Sequence, residues 1–162
     1  MIESVIPQAG QVAPEVSLPD GDGLSHHLAE QRGRWVVLYF YPKDDTPGCT
    51  TEACEFRDAN VDIAARGAVV WGVSPQGAAS KAAFRNKYAL DFPLLIDADH
   101  GVAEAYGSWV EKHQYGRSYM GVARRTFLIG PDGRIARSWE KVKPEGHAAD
   151  VLAAIDEAAG RG

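Results

Sequence analysis

The chain has 162 residues, 45% hydrophobic and 24% charged, which suits one globular domain, residues 1–162, able to bury a full core. Its net charge of −5 excludes the basic surface that nucleic acid or an anionic membrane would need in a partner. Apolar runs fall far short of a bilayer span, and residues 1–10 carry Glu3 without a basic start or a long apolar stretch, so no transmembrane helix or signal peptide is expected and the address is cytoplasmic.

Residues 11–23 read as an extended lead-in to a tight Asp/Gly turn, a small hairpin with Val12, Val16 and Leu18 available to pack. His26 and His27 suggest a short helical turn or the second hairpin arm. Adjacent His side chains point different ways and no third ligand is visible, so both read as surface residues rather than a metal site. Residues 35–41 are an unbroken apolar run, the pattern of a strand buried on both faces. Pro42 ends it. Asp44, Asp45, Pro47 and Gly48 are turn residues, and Thr46 is the expected N-cap of a helix that carries Cys49 in its first turn and runs to about residue 66. Ala53, Phe56, Ala59, Asn60 and Ile63 give that helix one apolar face, with Gly67 as its stop.

Residues 68–74 read as a second buried strand, 77–90 as a helix carrying Ala82, Ala83, Phe84 and Tyr88, and 94–97 as a short third strand. A short helix over 100–106 and an aromatic-rich loop or ribbon over 109–121 follow. Strands 122–129 and 134–139 flank the hairpin turn Gly130-Pro-Asp-Gly133, and 145–159 close the chain as a helix with Ala149, Leu152, Ala153 and Ile155 inward. Residues 160–162 should fray. This order, with right-handed crossovers, predicts an α/β fold: a thioredoxin-like domain with an N-terminal β extension and a central mixed sheet flanked by helices.

Both cysteines of the chain, Cys49 and Cys54, lie in the first long helix. Unpaired N–H groups and the positive end of the helix dipole favour an anion at the first turn, and a thiolate is both an anion and a nucleophile. Against this stands the commoner fate of a free Cys as a small buried hydrophobe. Five helical positions separate the two Cα atoms by about 8.7 Å, beyond the ~7 Å a disulfide tolerates. The spacing therefore predicts a nucleophilic Cys49 and a resolving Cys54 that can join only after the first turns unwind. Two thiols four residues apart without a His pattern do not make a zinc site.

Pro42-x-x-x-Thr46-x-x-Cys49 resembles the active-site signature of peroxiredoxins, and Tyr41-Pro-Lys-Asp-Asp-Thr-Pro-Gly-Cys-Thr-Thr-Glu-Ala-Cys-Glu-Phe-Arg57 is similar to the bacterioferritin-comigratory (PrxQ) subfamily in particular. The likeness continues through Gly72-Val-Ser74, Phe92-Pro-Leu-Leu-Ile-Asp97 and Tyr115-Gly-Arg-Ser-Tyr-Met-Gly-Val-Ala-Arg-Arg-Thr-Phe-Leu-Ile129, and so covers nearly the whole chain. It implies a thiol peroxidase acting on hydrogen peroxide and organic hydroperoxides, recycled by thioredoxin or a similar dithiol, monomeric and without metal, haem or flavin. It also implies an Arg beside the thiol, which the Gly-Val-x-Arg-x-Thr-Phe match assigns to Arg124, leaving Arg125 to solvent or a surface pair. Thr46 would set its hydroxyl beside the sulfur or act simply as an N-cap. The N–H groups of Gly48 and Cys49 would meet the peroxide, and Pro42 would shield the pocket or merely form the turn. Glu52, Arg57 and Asp58 read as helix-face or ion-pair residues, with Glu52 also able to buffer the cation. Trp109, Tyr115 and Tyr119 line the pocket or simply pack. The chain departs from the subfamily at Val110, where Gly is usual, at Gly130, where Asp is usual, and at Pro75-Gln-Gly77, which lacks an Asp-Ser pair.

Two other readings fit parts of the pattern. A thiol-disulfide oxidoreductase would carry C-x-x-C rather than four intervening residues. A redox-responsive binding or chaperone module would use Cys49 oxidation to unfold the helix and expose a surface.

Overall fold

The structure, a computed structural model, describes residues 5–160; the fraying expected at 161 and 162 lies outside them. Strand β3 (Trp35–Phe40) is the centre of a five-stranded sheet. It pairs in parallel with β4 (Ala68–Ser74), which pairs in parallel with β5 (Leu94–Ile96). On its other side β3 pairs antiparallel with β8 (Arg125–Ile129), and β8 with β9 (Ile135–Trp139), so the order is β5-β4-β3-β8-β9. Helices α1 (Pro47–Ala65) and α2 (Ala78–Tyr88) make the crossovers of the parallel half. The mixed sheet flanked by helices agrees with the fold expected from the element order.

Because side chains alternate across a strand, the unbroken apolar run of β3 feeds two separate cores. Val37, Tyr39 and Tyr41 pack with Phe56 and Ile63 of α1, Phe84 of α2, and Val151 and Ile155 of α4 (His147–Ala158). Val36, Leu38 and Phe40 pack with Trp71, Phe127 and Tyr106, and with Val16 and Leu28 of the N-terminal extension. That extension is a hairpin of β1 (Ser17–Pro19) and β2 (Ser25–His27) followed by a 3-10 turn. His26 is not a plain surface residue: it lies half-buried, edge-on to Trp71, with Nε2 2.8 Å from the Asp20 carboxylate. Val12 is exposed rather than packed.

After α3 (Gly101–Ala105) the aromatic-rich stretch forms an antiparallel ribbon, β6 (Trp109–Gln114) on β7 (Arg117–Val122). It reverses through Tyr115 and Gly116, both at positive φ as a two-residue hairpin turn demands. Val122 therefore belongs to the ribbon, and the strand expected over 122–129 starts only at Arg125. In the β8–β9 turn, Gly133 has φ +79, a left-handed backbone that favours glycine, and the exposed Arg32 guanidinium folds over the space a Cβ would take. Of the residues expected inward on α4, Ile155 is buried and Leu152 packs half-buried against the core, whereas Ala149 and Ala153 are exposed and Ala148, Val151 and Ala154 are buried instead.

Candidate active site

Pro47 opens α1 at N1, where its missing N–H costs nothing, with Thr46 extended before it at the N-cap position. The Thr46 hydroxyl, however, does not cap the helix. It donates to the Lys43 carbonyl at 2.9 Å, folding the loop on itself. The first backbone bond of the helix runs from Thr50 N–H to the Thr46 carbonyl at 2.8 Å. The N–H groups of Gly48 and Cys49 precede it and have no acceptor one turn back. Cys49 is thus held in a first turn whose donors are not consumed by a cap.

Cys49 is 1% exposed, Cys54 is half-buried, and both are free thiols within the unbroken helix. Arg124 reaches in from the residue just before β8, not from within the strand as expected. Its Nη2 donates to the Cys49 sulfur at 3.2 Å and its Nη1 to Glu52 Oε1 at 2.7 Å. Gly48 makes that approach possible, since a Cβ there would lie 3.1 Å from Arg124 Nη2. Arg125 does not go to solvent. It lies half-buried and donates to the Gly107 and Glu140 carbonyls, fixing the strand start that aims Arg124. Pro42 sits half-buried just past β3, its carbonyl accepting from Gln76 Nε2 at 3.1 Å.

Glu52 is more than a helix-face residue. It is 1% exposed, and its Oε2 has no hydrogen-bond partner among the described residues. Burial lifts its carboxyl to about 7 while the Arg124 guanidinium pulls the other way. Burial also opposes the Arg124 charge, but the Glu52 carboxyl and the Cys49 sulfur together hold it above its ordinary value. On the β6–β7 ribbon, half-buried Lys112 is pushed down by burial and by Arg124 while the Cys49 sulfur raises it, so the ribbon brings a second cation into the field of the site. His147 closes the far side of α1, edge-on to Phe56 and Trp139 and 2.8 Å from the Thr126 hydroxyl; burial lowers it to about 4 and keeps it neutral. Nothing in the local sequence marks His147 or Lys112 as neighbours of the thiol. Glu52 was visible only as a carboxylate one turn after Cys49.

A carboxyl raised from 4.5 to about 7 in the folded chain contributes its full stability below pH 4.5 and loses it as pH rises through 7. Glu52→Gln is therefore expected to gain on the wild type by about 3 kcal/mol between pH 4.5 and 7.5, read as the difference between their urea unfolding curves. A difference that stays constant over that range would show Glu52 ionised throughout.

Comparison with known proteins gives the family of the chain. The AhpC/TSA family pattern matches residues 9–138. Peroxiredoxin Bcp of Bacillus subtilis is 44% identical over 150 residues, covering 93% of this chain and 96% of that protein. The chain belongs to the AhpC/TSA family, as a peroxiredoxin of the Bcp (PrxQ) kind. Among solved structures, a PrxQ variant from Xylella fastidiosa superposes with a TM-score of 0.89 at 34% identity, covering 96% of this chain and 99% of that one. The bacterioferritin comigratory protein of Xanthomonas campestris does so at 0.86 and 36% identity, with 96% and 99% coverage. Peroxiredoxins are peroxidases, and this peroxiredoxin is accordingly an oxidoreductase of the thioredoxin-like fold. Among the described residues no helix is long and apolar enough to cross a membrane, and no group of three or more His, Cys, Asp or Glu could hold a metal ion.

Proposed function

We propose that the chain reduces hydrogen peroxide and organic hydroperoxides by a two-cysteine cycle. The Cys49 thiolate attacks one oxygen of R–O–O–H in line with the O–O bond. The S–O bond forms, the O–O bond breaks, sulfur is oxidised by two electrons, and the departing alkoxide takes up a proton to leave as ROH. Cys49 becomes a sulfenic acid. An alkoxide leaves readily only where donors already surround it. Arg124 supplies them from a planar fork that stays charged, and the N–H groups of Gly48 and Cys49 add two more. The Thr46 hydroxyl, whose O–H donates to the Lys43 carbonyl, keeps lone pairs to accept from the peroxide O–H, and Pro42 shields the pocket. The observation that carries this reading is the Arg124–Cys49 contact of 3.2 Å at an uncapped helix start.

Cys54 then attacks the sulfenic sulfur, forming the Cys49–Cys54 disulfide and releasing water. Both residues lie in α1, five positions apart, so the first turns must unwind before the sulfurs can meet. A thioredoxin-type dithiol returns both thiols by exchange. The Xanthomonas campestris relative is described for alkyl peroxide reduction, which supports the organic substrates in this reading. The same reading takes one domain over residues 1–162, monomeric and cytoplasmic, where the reducing pool keeps both thiols free between turnovers. Stopped-flow oxidation of Cys54→Ser tests it. The variant should react once at the wild-type rate, stop at a Cys49 sulfenic acid that dimedone traps, and fail to recycle with thioredoxin. Sustained turnover of this variant would remove Cys54 from the cycle.

A further inference from the structure

The loop between β3 and α1 is pinned to α2 by a buried ion pair that the peroxide chemistry does not touch. The Lys81 side chain is 0% exposed and that of Asp44 2%. Lys81 Nζ donates to Asp44 Oδ1 and Oδ2 at 3.3 and 3.4 Å and to the Ser74 hydroxyl. The carboxylate also accepts from the Tyr41 hydroxyl at Oδ1 and from Ser80 at Oδ2, 2.7 Å away. Gln76 joins the same cluster: its Oε1 accepts from the Ser74 hydroxyl and the Asp44 N–H, and its Nε2 donates to the Pro42 carbonyl. One residue on, Asp45 holds a left-handed backbone (φ 58) while its carboxylate accepts from Lys87 Nζ and the Tyr88 hydroxyl, again from α2.

Burying two charges is seldom a gain in stability over an apolar pair, so such a pair invites a reading in terms of position rather than strength. Its place in the fold supplies one. Residues 42–46 are fastened to α2 through two successive carboxylates. Downstream, Arg57 donates to the Tyr88 carbonyl at 2.6 Å, and Phe56 stacks on Tyr39 in the core. Between these two clamps lie both cysteines and a helix start without a side-chain cap. Building on the two-cysteine cycle proposed above, we infer that Lys81, acting through Asp44, is a positioning residue that fixes the upstream hinge about which the Cys49 turn unwinds and re-forms. Thr46 and Pro42 then stay in place for the next peroxide while only residues 47–55 change.

The test is the neutral pair Asp44→Asn/Lys81→Met, with Ser80→Ala as a mild companion that removes one exposed donor to Asp44. Rapid mixing separates Cys49 oxidation from the later sulfenic-to-disulfide step, and hydrogen exchange reads the loop. Oxidation should slow by about tenfold in the double variant and by about twofold in Ser80→Ala. The disulfide step should not slow, and residues 42–46 of the reduced protein should lose protection while β3 and β8 keep theirs. Unchanged oxidation in both folded variants would overturn the inference. So would an equal slowing of both steps with protection lost across the whole sheet, which would mark the pair as merely structural. A wild type oxidised at Cys49 that forms no disulfide with Cys54 would overturn the two-cysteine cycle instead, and the effect of the variants on Cys49 oxidation would still decide the anchoring role.

Discussion

Cys49→Ser is expected to lower peroxide consumption by at least about 10⁴-fold, to a level indistinguishable from buffer with the reductant alone. A serine hydroxyl at this position is not ionised at neutral pH, and its oxygen cannot take up the two electrons' worth of oxidation that a thiolate sulfur accepts. The position itself survives the change. The site is 1% exposed, but the new hydroxyl would lie beside the Arg124 donor now aimed at sulfur, so the cost in stability should be about 1 kcal/mol. An inactive protein with a near-native unfolding midpoint would place the loss in the chemistry. A variant that keeps a substantial fraction of the rate would put the nucleophile elsewhere.

Arg124→Met is expected to slow Cys49 oxidation by about 10²–10³-fold, the range for removing a preorganised donor from developing negative charge. Two effects combine. The sulfur loses the guanidinium at 3.2 Å that stabilises its anion, and the departing oxygen loses the same fork. Glu52 would then be a buried carboxyl without its counter-charge. Burial already holds it near 7, so it should answer by taking a proton rather than by unfolding the chain. The variant should therefore remain folded at pH 6–7 and lose stability more steeply than the wild type above that range. Arg124→Lys should recover only part of the rate, because a single ammonium cannot serve sulfur and Glu52 in the fixed geometry of the fork. Full activity in Arg124→Met, measured by stopped-flow tryptophan fluorescence, would leave the 3.2 Å contact without a catalytic role.

The backbone of this site was legible because its signals are local. Pro47 after Thr46, glycine at 48 and an apolar run ending at Pro42 leave few choices other than strand, turn and helix start, and Cys49 falls in the first turn by counting. Arg124 is different. It lies 75 residues from Cys49, and the sequence around it offers two adjacent arginines. Strand alternation could say that they differ but not which one faces the thiol, and family resemblance made the choice. Even so, its setting was misjudged, because Ala123 and Arg124 lie between ribbon and sheet where residues 122–129 read as one strand. The Thr46 hydroxyl points to a nearby carbonyl rather than into the helix, a competition between local acceptors that residue type alone does not resolve.

Lys81 shows the commonest reason for a miss. Lysine is so rarely buried without a partner that it reads as solvent-facing, yet Lys81 shares a helical stripe with Phe84 and Tyr88 at three- and seven-residue spacing. That stripe was the signal that could have placed Lys81 inside, and a buried ammonium would then have called for a carboxylate such as Asp44 in an otherwise plain turn. In α4 the difficulty was the alanines: those at 148, 149, 153 and 154 do not distinguish one face from the next, so Ala149 and Ala153 were read inward in place of Ala148 and Ala154, while Leu152 and Ile155 were placed correctly.

The account turns on a single covalent event, and one experiment reads it directly: treat the reduced wild-type protein with one equivalent of hydrogen peroxide, quench with a thiol-alkylating reagent, and map the products by mass spectrometry. The two-cysteine cycle predicts loss of two hydrogens, no alkylated cysteine, and a peptide linked through Cys49 and Cys54 within one chain. A product oxidised at Cys49 with Cys54 still alkylated, or one linked between two chains, would contradict it.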